Sequence, residues 1–264
     1  MDKENKNRGK GKRNDLQTRA SKRVIYVIGL ITLFISPLSL MGQYVCYDRD
    51  GYANVRKGPG VQYEIVDKVS KYEVFYSSDW LRVDGESLNT SLTWIPFARS
   101  INDTIDGFVY KKNIRNLDDM PQLRGVFVND TLFSCSNDTI SINLVVKDFD
   151  KNNHIIEDTI FNGDNEKYIK TIDGKYPIGL VFQRIDGDKI WGSEIKALYI
   201  ERRNKRIYLP IDTIKSYFNP NGLCVWLGYE NELYIYISVG DGGEAYGIYL
   251  SVVNGVIKYT LEWG

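Results

Sequence analysis

The chain has 264 residues and equal numbers of basic and acidic side chains, 34 of each, but the charges are unevenly distributed. Residues 1–42 hold nine basic and three acidic side chains, which leaves 25 basic against 31 acidic, a net charge of −6, in the rest. This mild acidity argues against nucleic acid as a partner. The 19 tyrosines, 10 phenylalanines and 5 tryptophans, with frequent Asp-Gly and Asn-Gly pairs, predict a β-rich protein of one or two domains.

The amino terminus has the layout of an export segment. Residues 3–23 are polar and basic, and an uninterrupted apolar run follows over 24–35. Two outcomes stay open, namely cleavage after Gly42 as a signal peptide, or retention of the whole segment as a membrane anchor. Both predict that residues 44–264 lie outside the cytoplasm, in the periplasm or at the cell surface.

The three cysteines supply neither a lipid anchor nor a defined disulfide framework. Cys46 lies close behind the apolar run, but Val45 stands before it, where a lipoprotein signal needs a small residue. Cys135 and Cys224 can pair in an oxidising compartment, although the sequence favours small buried thiols.

A short signature behind the export segment is the most informative stretch of the chain. Residues 54–60 read Asn-Val-Arg-Lys-Gly-Pro-Gly, and residues 63–66 follow as Tyr-Glu-Ile-Val. Pro59 fixes φ within a turn, and the glycines on either side are expected to take positive φ. This stretch resembles the opening of a bacterial SH3 domain. The resemblance covers about residues 46–117 and implies a small β-barrel at 44–117 that binds a ligand.

The end of this region is also similar to the family, with two departures before it. Residues 106–114 contain the Gly-aromatic-Val ending of bacterial SH3 domains. Residues 70–72, Ser-Lys-Tyr, stand where the family usually has a glycine, so this turn must be built differently. The family's Trp-x-x-Val strand has two candidates, which begin at Trp80 and Trp94. We favour Trp94 as the core tryptophan and expect Trp80 in an insertion that edges the binding groove.

The remainder of the chain reads as a second β-rich domain at 124–264 behind a linker at 118–123. Strand-like runs follow one another at 125–128, 140–146, 154–161, 168–172, 178–185, 195–201, 206–211, 223–228, 232–239, 245–253 and 256–263. Pairs that accept positive φ predict turns at Asn162-Gly163, Asp173-Gly174, Asp186-Gly187, Asn221-Gly222 and Asn254-Gly255. Only 212–218 is assigned a short helix. The pattern predicts an antiparallel β-sandwich or a strongly curved sheet.

The sequence predicts no catalytic constellation, no metal site and no cofactor. His154 is the single histidine, so neither a Cys/His/His hydrolase site nor a histidine-rich zinc site can be assembled. The segment that ends at His154 imitates a calcium loop, but Asn153 and Thr159 stand where that loop needs a glycine and a bidentate glutamate. The Gly-rich segment 240–247 has no helix behind it and reads as a hairpin loop.

Three functions of different classes remain, and the sequence favours a non-enzymatic cell-envelope binding protein. Its SH3-like module is expected to dock a peptide or glycopeptide such as peptidoglycan, because modules similar to this one often target cell-wall material. Tyr52, Tyr63 and Trp80 can present flat faces with polar tips, and Arg56 can pair with a carboxylate. The alternatives are an exported hydrolase with its site in the carboxy-terminal domain, and an inhibitor or immunity-type protein that binds one envelope protein.

Overall fold

The computed structural model describes residues 42–77, 93–100, 105–160, 167–180, 192–240 and 246–263. Within them the regular structure is mainly β, as the sequence predicts, with 3-10 turns at Lys111–Asn113, Leu117–Asp119 and Lys151–Asn153. None of these described helical segments has the length and apolar character to cross a membrane. The expected export segment at 1–41 lies outside the described residues. The strands are β1 (Gly42–Cys46), β2 (Tyr52–Arg56), β3 (Ile65–Ser70), β4 (Val74–Ser77), β5 (Trp94–Phe97), β6 (Gly107–Tyr110), β7 (Ile114–Asn116), β8 (Gln122–Arg124), β9 (Val126–Asn129), β10 (Leu132–Ser136), β11 (Ser141–Asp148), β12 (Ile156–Ile160), β13 (Lys167–Ile172), β14 (Ser193–Arg202), β15 (Lys205–Leu209), β16 (Pro220–Leu227), β17 (Leu233–Val239), β18 (Tyr246–Val253) and β19 (Val256–Trp263).

These strands pair antiparallel into four larger sheets and one hairpin. Sheet I has the strand order β3-β2-β6-β5, and sheet II has the order β4-β1-β7. Sheet III has the order β19-β18-β17-β16-β8, sheet IV has the order β15-β14-β11-β10-β9, and β12 pairs with β13 alone. None of the described sheets closes into a barrel, in contrast to the small β-barrel expected at 44–117. In the region 44–117, sheets I and II face each other and are linked at one edge by a bridge between Tyr76 and Ala98.

The first core lies between sheets I and II and follows from the two-residue period of a strand. In β2, Ala53 and Val55 are buried, so Tyr52 and Arg56 point to the opposite face of sheet I. The other members of this core are Cys46, Val69, Phe75, Ile95, Phe97, Val109 and Ile114. Sheet I therefore has one apolar face on the core and one face turned away from it.

The second core lies between sheets II and III and is shared by the two halves of the chain. Its amino-terminal members are Val45, Val74, Tyr76, Ala98, Leu117 and Met120, and its carboxy-terminal members are Trp226, Tyr234, Tyr236, Tyr249 and Leu261. The tyrosines supply large apolar surfaces and also bond through their hydroxyls, since Tyr76 donates to the carbonyl oxygen of Glu262 at 2.7 Å. The amino-terminal half is thus packed on the outer face of sheet III.

The segment expected as a linker, 118–123, is part of this packing. Leu117, directly before the segment, and Met120, within it, are buried. Asn116 caps the 3-10 turn at Leu117–Asp119 by accepting from the N–H of Asp118 at 2.9 Å. The chain then enters β8, which pairs with β16. Polar composition alone did not indicate that Met120 and the half-buried Leu123 of this segment pack on the neighbouring cores.

The third core lies between sheets III and IV and makes the carboxy-terminal half a β-sandwich, one of the two predicted forms. Its most deeply buried members are Ile142, Leu144, Leu198, Ile214, Val225, Ile235, Ile237, Val239 and Leu250. The chain crosses from sheet III to sheet IV at Gly125, whose N–H donates to the carbonyl of Leu223 at 2.7 Å. A Cβ on this glycine would lie 2.8 Å from that same oxygen, so the crossing requires glycine.

Several local expectations for the sandwich can be checked against its backbone. Asp173-Gly174 and Asn254-Gly255 take positive φ, of 54° and 73° in the first pair and 53° and 77° in the second, which confirms both turns. Asn221-Gly222 lies inside β16 instead. The expected helix at 212–218 is not formed, since 212–216 are turns and Tyr217 and Phe218 make isolated β-bridges. The short strand β10 was not predicted, because its sequence mixes serines with apolar residues.

Candidate ligand-binding surface

The face of sheet I turned away from the core carries two of the four residues predicted to bind a ligand, and a third borders it. Tyr52 and Arg56 lie on β2 with the same orientation, opposite to that of Val55. Tyr63 lies in the turn before β3, and the exposed fractions of Tyr52 and Tyr63 are 38% and 42%. The fourth residue, Trp80, lies outside the described residues.

Arg56 and Tyr63 are joined directly. Nη1 of Arg56 donates to the carbonyl oxygen of Tyr63 at 2.6 Å, and the N–H of Lys57 donates to the carbonyl of Glu64 at 2.9 Å. A register shift after Val55 places Arg56 opposite Ile65 and closes the turn between them. A guanidinium has five N–H donors, so holding this turn does not exhaust its capacity for a ligand carboxylate.

Gly58 has a different role from the one that the sequence suggested. Neither Gly58 nor Gly60 has positive φ, so that prediction was wrong. The ring of Tyr63 lies over Gly58, and a Cβ at this position would be 2.5 Å from Cδ1 of the ring. The glycine is therefore needed for space, since it leaves room for the Tyr63 ring beside the backbone of the turn.

A second cation accompanies Tyr52. Nζ of Lys68, on β3, lies 3.9 Å from the centroid of the Tyr52 ring, within the range of a cation–π contact. Lys68 is opposite Asn54 in the register of β2 and β3, so it belongs to the same face as Tyr52 and Arg56. One tyrosine–cation pair, Tyr52 with Lys68, thus lies toward one end of β2, and a second, Tyr63 with Arg56, lies at the other end.

Arg99 fixes the strand that carries Lys68. Its Nη2 donates to the carbonyl oxygen of Lys68 at 2.8 Å, its Nε donates to Glu73 at 3.1 Å, and its Nη1 forms an ion pair with Asp67. These contacts come from the segment that follows β5, which is distant in sequence from β3. They hold an edge strand that pairs only with β2 among the described strands.

Trp94 is not the core tryptophan that we expected. It begins β5 but is only half-buried, and the residues of β5 that enter the core are Ile95 and Phe97. The Trp94 ring instead lies beside Tyr110, with ring centroids 5.4 Å apart at an angle of 52°. The alternation of the strand explains the error, because Trp94 has the opposite orientation to Ile95. The pair adds two further aromatic rings to the face turned away from the core.

The turn that departs from the family pattern contains a tyrosine in the left-handed region. Tyr72 has φ of 70°, a conformation that glycine adopts without strain. Its hydroxyl donates to Glu230, whose carboxylate also pairs with Nζ of Lys71 at 2.9 Å. Hydrogen bonds from Tyr72 and Lys71 lower the pKa of Glu230. The turn is therefore built on contacts with the carboxy-terminal half of the chain.

His154 belongs to a polar cluster that the sequence did not predict. Its Nδ1 is 2.7 Å from Asp173 and its Nε2 is 3.1 Å from Glu194, while Lys147 pairs with Glu194 at 2.9 Å. The ring stacks on Phe149 at 4.9 Å between centroids. Because the two carboxylates lie on opposite nitrogens of the ring, they do not converge on one point. The cluster fastens the end of the β12–β13 hairpin to β11 and β14.

Other candidates for chemistry have structural roles. Asp150, in the segment that imitates a calcium loop, accepts from the N–H and Nδ2 of Asn152 at 3.0 and 2.9 Å, so its carboxylate closes a turn. In the part of the chain that the structure describes, no group of three or more His, Cys, Asp or Glu side chains is arranged to hold a metal ion.

The three cysteines are free thiols, so Cys135 and Cys224 form no disulfide in this structure. Burial raises the pKa of Cys46 to about 11 and that of Cys135 to about 12. Burial also raises the pKa of Cys224. A thiol held protonated in this way is a poor nucleophile.

The chain matches no family model, no curated protein and no solved structure. The resemblance to bacterial SH3 domains therefore rests on residues 54–66 and 106–114 themselves.

Proposed function

We propose that the protein is a non-enzymatic cell-envelope binding protein. In this proposal its SH3-like module docks a peptide or a peptidoglycan glycopeptide on the face of sheet I that carries Tyr52 and Arg56. The observation that supports it best is that Tyr52 and Arg56, at the two ends of β2, point to the same face of sheet I, where Tyr63 contacts Arg56 and Lys68 contacts Tyr52.

The chemistry of this surface fits a ligand with both apolar and anionic groups. Flat rings at Tyr52 and Tyr63 offer contact area at a small cost in side-chain entropy. Arg56 and Lys68 offer positive charge to a carboxylate, which peptide termini and the acidic residues of wall peptides supply. Exposed Val61, Ile65 and Val66 add apolar area beside the same turn. The basic leader and apolar run at the amino terminus support export of this surface to the compartment that holds such a ligand.

A sedimentation assay with insoluble peptidoglycan tests the proposal. The full chain is compared with the double variant Tyr52→Ala/Arg56→Ala and with the matched variant Tyr208→Ala/Arg206→Ala. Tyr208 and Arg206 are a suitable control because they form an exposed tyrosine–arginine contact at 3.2 Å on sheet IV. We expect the first double variant to bind roughly 10-fold more weakly or worse and the control to bind like the parent.

Two results would contradict the proposal. One is equal binding by the parent and by Tyr52→Ala/Arg56→Ala, with both proteins folded. The other is release of soluble fragments from peptidoglycan by the purified protein, which is the result that an exported hydrolase predicts.

A further inference from the structure

A tripeptide of Asp, Thr and then Ile or Leu recurs along the chain. Of the 11 threonines, five stand in this setting, whereas chance placement at the frequencies of these residues would give fewer than one. The tripeptides lie at 103–105, 130–132, 138–140, 158–160 and 212–214. The first lies mostly outside the described residues, and the structure describes the other four in full. So frequent a recurrence calls for a common cause.

The fold does not supply that cause, because the four described tripeptides have different backbone structures. The tripeptide at 130–132 spans the turn between β9 and β10, and the one at 138–140 lies in the connection between β10 and β11. By contrast, 158–160 lies within β12, and 212–214 lies in a run of turns. A tripeptide that occurs in such different structures is better explained by another protein that recognises the sequence itself.

The reactive group that the tripeptides share is the threonine hydroxyl, and three of these threonines lie at the surface. Thr131, Thr139 and Thr213 are exposed, and so is the aspartate before each of them. Oγ1 of Thr131 donates to Oδ1 of Asn129, and Oγ1 of Thr139 donates to Oδ1 of Asn137, both at 2.9 Å. These bonds use the hydroxyl hydrogen and leave the lone pairs of the oxygen on an exposed turn.

The third residue of the tripeptide shows when the sequence can be read. Ile140 and Ile214 are buried in the folded protein, so an enzyme cannot contact them there. A chain that has not yet folded exposes all three residues of each tripeptide. Recognition therefore precedes folding, and the folded structure decides where an attached group has room. Thr159 is half-buried in β12 and has less room than the three exposed threonines.

We propose that Thr131, Thr139 and Thr213 are O-glycosylation sites, to which a transferase attaches a sugar outside the cytoplasm. The donor is a sugar linked to a polyprenyl phosphate. Threonine Oγ1 attacks the anomeric carbon of this sugar, so a new C–O bond forms and the bond from that carbon to the phosphate oxygen breaks. The hydroxyl proton passes to a base of the transferase, and the lipid phosphate leaves. The aspartate and the aliphatic residue give the transferase one charged and one apolar group to bind.

Two other modifications fit the observations less well. Phosphorylation needs a nucleoside triphosphate, which is a cytoplasmic donor, whereas the amino-terminal segment predicts export. N-glycosylation needs the sequence Asn-x-Ser/Thr, which Asn129 and Asn137 satisfy. The tripeptides at 158–160 and 212–214 have no asparagine at that position, so asparagine is not the common element. The choice of a sugar thus rests on the proposed export and not on a ligand of sheet I.

Mass spectrometry of the full chain, purified from its native host, tests the proposal. Peptides that contain Thr131, Thr139 or Thr213 should carry a sugar, and electron-transfer fragmentation should locate it on the threonine oxygen. Thr260 is a natural control, because it is exposed and a leucine follows it but a tyrosine precedes it. Its peptide should carry no sugar.

Two aspartate variants test whether the transferase reads the acidic residue. Asp138→Asn should abolish the sugar on Thr139 and leave the sugars at the other two sites unchanged. Asp119→Asn is the matched control, because Asp119 is an exposed aspartate outside the tripeptides, and this variant should keep all three sugars. Circular dichroism checks that each variant is folded.

A third variant tests whether the tripeptide is sufficient. Tyr259→Asp completes the tripeptide around Thr260, which should then gain a sugar. All three variants leave the face of sheet I unchanged, so their binding to peptidoglycan should equal that of the parent. Failure of the glycosylation proposal is therefore distinguishable from failure of the proposed binding function.

An exported chain without sugar at these three sites overturns the proposal, and so does a chain found only in the cytoplasm. A phosphoryl group on the threonines, or a glycan on Nδ2 of Asn129 or Asn137 in their place, also overturns it. Sugar on Thr260 of the parent, sugar that persists on Thr139 in Asp138→Asn, or a Tyr259→Asp chain without sugar on Thr260 would show that the tripeptide is not the signal.

Discussion

The hydroxyl of Tyr72 donates to the carboxylate of Glu230, which lies 158 residues later in the chain. Tyr72 holds a left-handed conformation that costs a tyrosine on the order of 1 kcal/mol or more relative to glycine. Its ring meets Tyr47 edge-on, with centroids 5.9 Å apart. The contacts with Tyr47 and Glu230 offset the cost of the turn, so this turn of the amino-terminal half is stabilised in part by the carboxy-terminal half.

Tyr72→Phe tests this dependence because it removes the hydroxyl and keeps the ring. We expect it to lower the free energy of unfolding by about 1 kcal/mol in the parent. In a Glu230→Ala background the same change should have little effect, because the acceptor is already absent. Urea unfolding of the four proteins of this double-mutant cycle measures the coupling. If the effects of the two substitutions on the free energy of unfolding are additive, the Tyr72–Glu230 hydrogen bond contributes nothing to stability.

Leu117→Ala tests whether the two halves unfold together. Leu117 is fully buried in the core between sheets II and III, so we expect the substitution to lower the free energy of unfolding by about 2–5 kcal/mol. If the halves unfold together, circular dichroism and tryptophan fluorescence should report the same single transition. Asp119→Ala, two residues away and exposed, is the control and should change stability by less than about 0.5 kcal/mol. Two separate transitions, or protease cleavage of the parent within 118–123 that leaves two stable fragments, would show that each half has an independent core.

Gly58→Ala tests the placement of Tyr63. The added Cβ would displace the ring, so ligand binding should weaken several-fold while the free energy of unfolding changes by less than about 1 kcal/mol, because Tyr63 is exposed. Gly60→Ala is the matched control. Its Cβ would meet only the end of the Gln62 side chain, which can move away, so binding should be unchanged. If the parent and both variants bind the ligand equally well, Tyr63 does not contribute to ligand binding.

Asp173→Asn tests the cluster around His154 through its dependence on pH. The N–H of Ile155 and then the ring of His154 bond to Asp173 and hold its pKa below the usual 3.8. A carboxyl with a lower pKa in the folded state stabilises the protein above the unfolded pKa, and this contribution is lost as the pH falls through the folded value. The variant should therefore be less stable than the parent near pH 5, and the difference should shrink as the pH falls below about 4 and through the lowered pKa of Asp173. Urea unfolding at each pH measures the difference, and a difference that stays constant over this range would contradict the account.

Local patterns predicted much of the fold. The mainly β class and most strands of the sandwich follow from alternation and turn residues, and Asn254-Gly255 forms the hairpin turn that its sequence suggests. The nearness of Arg56 and Tyr63 was also foreseeable, because a single turn separates them.

The errors have one physical origin, which is that side-chain environments depend on pairing between distant segments. Trp94 looked like a core residue, but the register of β5 gives the core to Ile95 and Phe97. The partners of His154 lie 19 and 40 residues away, and only the pairing of β12, β13 and β14 brings them together. The burial of Met120 within the otherwise mostly exposed segment 118–123 depends on a core whose other side comes from the far end of the chain.

The central claim is that Tyr52, Arg56 and Tyr63 form a ligand-binding surface on sheet I. Chemical-shift mapping of the isotope-labelled protein with soluble peptidoglycan fragments tests it most directly, because it reports where the ligand binds and needs no substitution. The account predicts saturable shifts at these residues and at Lys68, with little change around His154. Shifts centred on His154, or no saturable shift on sheet I, would contradict it.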